Sequence, residues 1–236
     1  MPEPDRPRST HRGFAFGACA FLAVYNNLVQ VVPGQRSLYV PMNLAVSAAL
    51  AVAARRHGLS WADLGLSREA APSGARWGAA VAVVVAVAYA VVLLSPGRGV
   101  LEDERYAGLD GSGLLYATLV RVPLGTVVLE EVAFRGVLLA AAARAWSLKA
   151  AVAVSSSVFG LWHVRPTLAA LAVNDPGASL WAQVGGVGAA VAFTGLAGVL
   201  FCWLRLRSES LVAPMVLHVA TNSLGVVAAF LAHRWA

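Results

Sequence analysis

The chain has 236 residues, 58% of them hydrophobic and only 13% charged, with a mean hydropathy of +0.69. Soluble domains carry about 25% charged residues, so this composition cannot build a water-facing surface. It excludes a secreted disulfide scaffold, a disordered protein and a cytosolic enzyme. The net charge of +6 is spread singly or in pairs between apolar runs, with no basic face and no aromatic platform. Nucleic acid is therefore not the partner; such charges orient a chain in a lipid bilayer.

Apolar runs of about 20 residues recur, each long enough at ~1.5 Å per residue to cross a hydrocarbon core of ~30 Å. They predict an all-α, polytopic transmembrane helical bundle of about seven spans, with eight possible. The spans are Phe14–Val32, Leu38–Ala54, Trp77–Ser95, Leu114–Ala143, Ala150–Val164, Trp181–Leu204 and Leu211–Leu231. The first is too long for the apolar region of a signal peptide, and its Ala18-Cys19-Ala20 site comes too early for cleavage. Arginines collect in the N-terminal tail (Arg6, Arg8, Arg12), the second loop (Arg55, Arg56, Arg68, Arg76) and the sixth loop (Arg205, Arg207). Arg144 and Lys149 mark the fourth loop, while the third is acidic, with Glu102, Asp103, Glu104 and Asp110. The expected N-terminus is cytoplasmic. Lys149 is the only lysine among 18 basic residues, a bias that points to a GC-rich genome and a bacterial plasma membrane.

Cys19 and Cys202 fall inside apolar runs and read as small core residues. Gly185, Gly186, Gly188, Gly195 and Gly198 give the sixth span a surface that lets helices approach closely. No internal repeat is evident, which weakens a transporter reading. Residues 165–180 either form a lid or merely connect two helices.

The fourth span places Glu130, Glu131 and Arg135 in mid-helix, where each unpaired charge costs on the order of 2.5–3.5 kcal/mol. Glu131 and Arg135 are four residues apart with the acid first, the favourable order for a pair on one face. Glu130 points about 100° away and has no partner on its own helix. Phe159 with His163 and His218 with Asn222 are further pairs at this spacing, on spans five and seven. Glu130 and His163 lie 14 residues from the nearest cytoplasmic basic residue, Asn222 lies 15 and His218 lies 11. At ~1.5 Å per residue three helices bring polar groups to one level.

Peptide hydrolysis in a membrane needs a base for water and donors for the oxyanion. No His-Glu-x-x-His string occurs, and Asp5, Asp63, Asp103, Asp110 and Asp175 all fall in loops or tails. Ser155, Ser156 and Ser157 precede His163 without a Gly-x-Ser-Gly string, so a glutamate base assisted by histidine remains. A carrier reading is also open, because intramembrane carboxylates mark proton pathways.

Glu130-Glu131-Val132-Ala133-Phe134-Arg135, Phe159-x-x-x-His163 and His218-x-x-x-Asn222 together resemble the three motifs of the CAAX-protease and bacteriocin-processing family (CPBP, or Abi). That family includes the type II CAAX prenyl endopeptidases. The resemblance places the motifs (130–135, 159–163, 218–222) in a catalytic core at 113–236. Residues 1–112, the tail and three spans, resemble nothing specific. It implies that Glu130 is the general base and holds the attacking water with His163. His218 and Asn222 would donate to the oxyanion, and Glu131, Arg135 and Phe159 would support the site. No cofactor is required in the favoured reading; Zn²⁺ on Glu130, His163 and His218 is the alternative, which would make the chain a metalloprotease. The implied function is an intramembrane endopeptidase acting on a membrane-associated, leader or CAAX-type peptide. The rival is a non-catalytic membrane scaffold or regulator that uses the same residues as an interhelical polar lock.

Overall fold

The computed structural model describes residues 7–28 and 35–235. Residues 29–32 of the first expected span, and Arg6 in the tail, lie outside them. All regular structure among the described residues is helical. Helices α1 (Arg8–Leu28), α2 (Gln35–Arg56) and α3 (Ala71–Leu93) are followed by a long helical rod, α4, from Gly111 to Ala145. Then come α5 (Leu148–Trp162), α6 (Val164–Asn174), α7 (Leu180–Ser208) and α8 (Val212–Trp235).

Local chemistry sets these boundaries. Asp110 caps α4 by accepting from Gly113 N–H at 2.7 Å, and Ser147 and Ser179 cap α5 and α7 in the same way. α7 ends where Glu209 turns left-handed at φ 58°, and Leu211 N–H then donates to Gly65 O at 2.8 Å. Within α4, Ala117–Val127 and Glu131–Leu138 are wound as π-helix around a short α-helical stretch, Val128–Glu130. Pro123 lacks an N–H and its ring crowds the carbonyl four residues back, and wider winding relieves both problems.

α2, α3, α7 and α8 are long and apolar enough to cross a membrane. Only 11% of the most apolar stretch of α3 is buried, and Val83, Val84, Val87 and Val91 are exposed along it. Such a face suits lipid and no other solvent. The chain is an integral membrane protein. Among the described residues these four coincide with expected spans two, three, six and seven. Residues 165–180, left open in the sequence between lid and connector, are largely the helix α6.

The main core draws on Leu22 of α1, Leu50 of α2, Phe134 and Leu138 of α4, Phe159 of α5, Leu204 of α7 and Leu217 of α8. α5 and α7 meet over glycine. A Cβ at Gly160 would stand 2.7 Å from Val191 O, and one at Gly198 would stand 3.0 Å from Ser156 Cα. Gly185 and Gly188 face open space, so only part of the glycine row in α7 is a packing surface.

Candidate active site

The expected pair forms on α4. Arg135 Nη1 donates to Glu131 Oε1 at 3.1 Å, with both side chains fully buried. The guanidinium carbon lies 3.9 Å from the Phe159 ring centre and 4.7 Å from that of Phe201, so π-faces replace water around the cation. Glu131 does more than neutralise Arg135. Its Oε1 also lies 2.7 Å from His218 Nδ1 on α8. A carboxylate held by arginine is an acceptor, so Nδ1 carries the imidazole proton and Nε2 is left open.

That open Nε2 points toward Glu130, whose Oε2 is 3.7 Å away. The sequence leaves Glu130 without a local partner; the fold supplies one from α5, where Trp162 Nε1 donates to Glu130 Oε1 at 3.0 Å. Oε2 remains buried with no hydrogen-bond partner. Glu130 also lines a cavity of about 70 Å³ with Tyr25, Asn26, Tyr39, Asn43 and Thr126. Both buried asparagines sit there for backbone reasons. Pro166 cannot donate to Trp162 O, and Asn26 Nδ2 donates to that carbonyl instead, at 2.9 Å. Asn43 Nδ2 donates to Gly125 O at 2.6 Å and Asn43 Oδ1 accepts from the Tyr25 hydroxyl, while Tyr39 Oη bonds Thr126 Oγ1 at 2.9 Å.

His163 is the single residue between α5 and α6, with φ −81° and ψ −3°. Its Nδ1 donates to Phe159 O at 2.8 Å, which again leaves Nε2 open. Phe159 stands between the two histidines, 4.6 Å from the His163 ring and 6.1 Å from that of His218. Asn222 lies one turn beyond His218, half-buried, touched through its Oδ1 by the Thr221 hydroxyl at 3.4 Å. Glu130, His218, Glu131, Arg135 and Phe159 thus form a connected chain of contacts, which His163 joins through Phe159. Both histidines have the tautomer that zinc takes. Among the described residues, however, no three His, Cys, Asp or Glu side chains are grouped to hold a metal ion.

Trp162 and the wall formed by Tyr25, Asn26, Tyr39 and Asn43 were not singled out from the sequence. The signal was there: Asn26 and Asn43 are amides inside apolar runs, the same anomaly that marked Glu130.

A helical membrane protein with a carboxylate–imidazole pair buried among its helices is the class defined by fold and site. Residues 112–224 match the family model described as type II CAAX prenyl endopeptidase Rce1-like. Over that stretch, just under half of its length, the chain is similar to a protease family. No curated protein and no solved structure matches it.

Proposed function

We propose that the chain is a glutamate-dependent intramembrane endopeptidase that cuts a membrane-associated peptide of leader or CAAX type. Its place is the bacterial plasma membrane, with the N-terminus in the cytoplasm. The observation that carries this reading is the gap between Glu130 Oε2 and His218 Nε2. At 3.7 Å it is too long for a direct hydrogen bond, and both atoms are open acceptors, while Glu130 Oε1 and His218 Nδ1 are already bonded elsewhere. Two acceptors facing each other need a donor, and a water beside the pair donates one proton to each.

The chemistry follows from the proton inventory. Water attacks the peptide carbonyl carbon as Glu130 Oε2 takes its proton. His218 Nε2 can receive that proton in turn, because Glu131, fixed by Arg135, stabilises the imidazolium. The imidazolium N–H and the Asn222 amide then donate to the oxyanion. His163, with Nε2 open, steadies the water from the α5 side. The proton returns to the leaving amine as the C–N bond breaks, and no step needs a cofactor.

The test compares peptide termini in membranes carrying the native protein and its Glu130→Gln variant, with helix content checked by circular dichroism. Glutamine keeps the size and the acceptor for Trp162 but cannot take a proton. New termini with the native protein alone are the expected result. Equal cleavage by both would remove Glu130 from the base role. No cleavage by either, with a phenotype that persists in the variant, would favour the scaffold.

A further inference from the structure

Two asparagines adjoin in α1 and bond in different directions. Asn27 is exposed and its Nδ2 folds back onto its own helix, donating to Ala23 O at 2.9 Å. Asn26 is buried and reaches across to α5, where its Nδ2 donates to Trp162 O at 2.9 Å. Trp162 is the last residue of α5, so its carbonyl is among those a helix end leaves open. The donor four residues on would be position 166, which is proline. Asn26 thus holds the backbone of Trp162 where α5 itself cannot.

The side chain of Trp162 carries that constraint to α4. An indole has one donor and no acceptor, so the 3.0 Å bond from Nε1 to Glu130 Oε1 has only one sense. The ring also meets Phe134, one turn beyond Glu130, edge-on with centroids 5.5 Å apart. The last torsion of a glutamate is broad, and nothing on α4 decides which oxygen faces His218. With Oε1 taken by Trp162, Oε2 is the oxygen left toward His218 Nε2. Asn26, Trp162 and Glu130 line the same cavity.

We propose that Asn26 and Trp162 are positioning residues for Glu130: α1, which lies outside the matched segment, fixes through them which carboxylate oxygen faces His218. The orientation stands on the geometry alone; its effect on turnover rests on the hydrolytic reading of Glu130.

The test uses the full protein, labelled at its indole nitrogens, in phosphatidylcholine nanodiscs. The Trp162 N–H resonance is assigned by its loss in Trp162→Phe, and Glu130→Leu gives its position without the bond. Asn26→Leu should move the resonance upfield toward that position. Adding Pro166→Ala, which returns a main-chain donor to Trp162 O, should bring it back. Cleavage is followed with a farnesylated Cys-a-a-X octapeptide. A hydrogen bond to a charged group is worth on the order of ten- to a hundredfold. Asn26→Leu and Trp162→Phe should each lower kcat by up to that factor with KM unchanged, and Pro166→Ala should rescue the first but not the second. The two changes together should cost no more than Trp162→Phe alone, because both act through one bond. A resonance that stays in place in Asn26→Leu would overturn the relay whatever the cleavage result. So would a loss confined to KM, since Asn26 would then touch the peptide in the cavity. A resonance that moves and returns as stated, with no cleavage by the native protein, would retain the positioning and refute the base.

Discussion

Arg135 is the largest side chain with no exposed surface among the described residues, and it has one carboxylate partner there. Its Nε and Nη2 have no hydrogen-bond partner, and Glu131 Oε2 has none either. A pair so buried is retained at a desolvation cost that a matched apolar pair would avoid. The geometry gives a reason for keeping it: through Glu131 the pair fixes the tautomer and aim of His218. Removing one partner leaves a lone buried charge, so Arg135→Met should cost about 3–5 kcal/mol in thermal unfolding in detergent. Adding Glu131→Leu to Arg135→Met should recover much of that stability without recovering activity, because His218 then loses its orienting acceptor. Full activity in the double variant would reduce the pair to a packing device. The Glu131–Arg135 contact was legible from a four-residue spacing, a local rule. Trp162 was not, because a cross-helix donor follows no spacing rule and an indole beside a motif histidine reads as apolar bulk.

Helix boundaries were legible where a local signal sets them and illegible where tertiary structure does. The caps at Asp110, Ser147 and Ser179 are short polar side chains ahead of apolar runs, and the helices begin there. The break at His163 is different. Pro166 would disfavour continuation, but the chain resumes as a helix at Val164 because Asn26 on α1 satisfies the carbonyl that proline leaves open. No reading of α5 and α6 alone could include that bond. The glycines of α7 illustrate the same limit, since the sequence offers five and the fold uses those facing α5. Gly160, on α5 itself, is the tightest of these contacts because its neighbour is a backbone carbonyl that cannot swing aside. Gly160→Ala should destabilise the protein by about 1–3 kcal/mol, as overpacking does, and lower activity by shifting Trp162 from Glu130. Gly185→Ala, in open space, is the control and should leave thermal stability within about 0.5 kcal/mol of native.

At the scale of the whole molecule, the division at residue 112 separates what resembles a known family from what does not, yet the Glu130 cavity straddles it. The matched segment, 112–224, supplies Glu130, Thr126 and Trp162, while α1 and α2 supply Tyr25, Asn26, Tyr39 and Asn43. The chemistry was therefore readable from motifs in the second half, whereas the opposite wall required the fold. A second tie between the parts lies outside the spans, where Arg144 at the end of α4 reaches the loop after α2 and bonds Asp63 at 3.2 Å. Partial burial pushes the Asp63 carboxyl up, but bonds from Ser60 N–H and Oγ and from Arg144 outweigh it and hold the carboxyl below its ordinary range. A carboxyl lowered in the folded state adds stability above its unfolded pKa of about 3.9 and loses it as pH falls through the lowered folded value. The loop should accordingly stay docked from neutral pH down to about 4 and loosen only below it. Spin labels at Ser67 and Ala143 should report a fixed separation above that range and a broadened one below it. Asp63→Asn should broaden the separation at every pH and flatten its pH dependence. A native profile that changes instead between pH 5 and 7 would assign the transition to a histidine and remove Asp63 from the role.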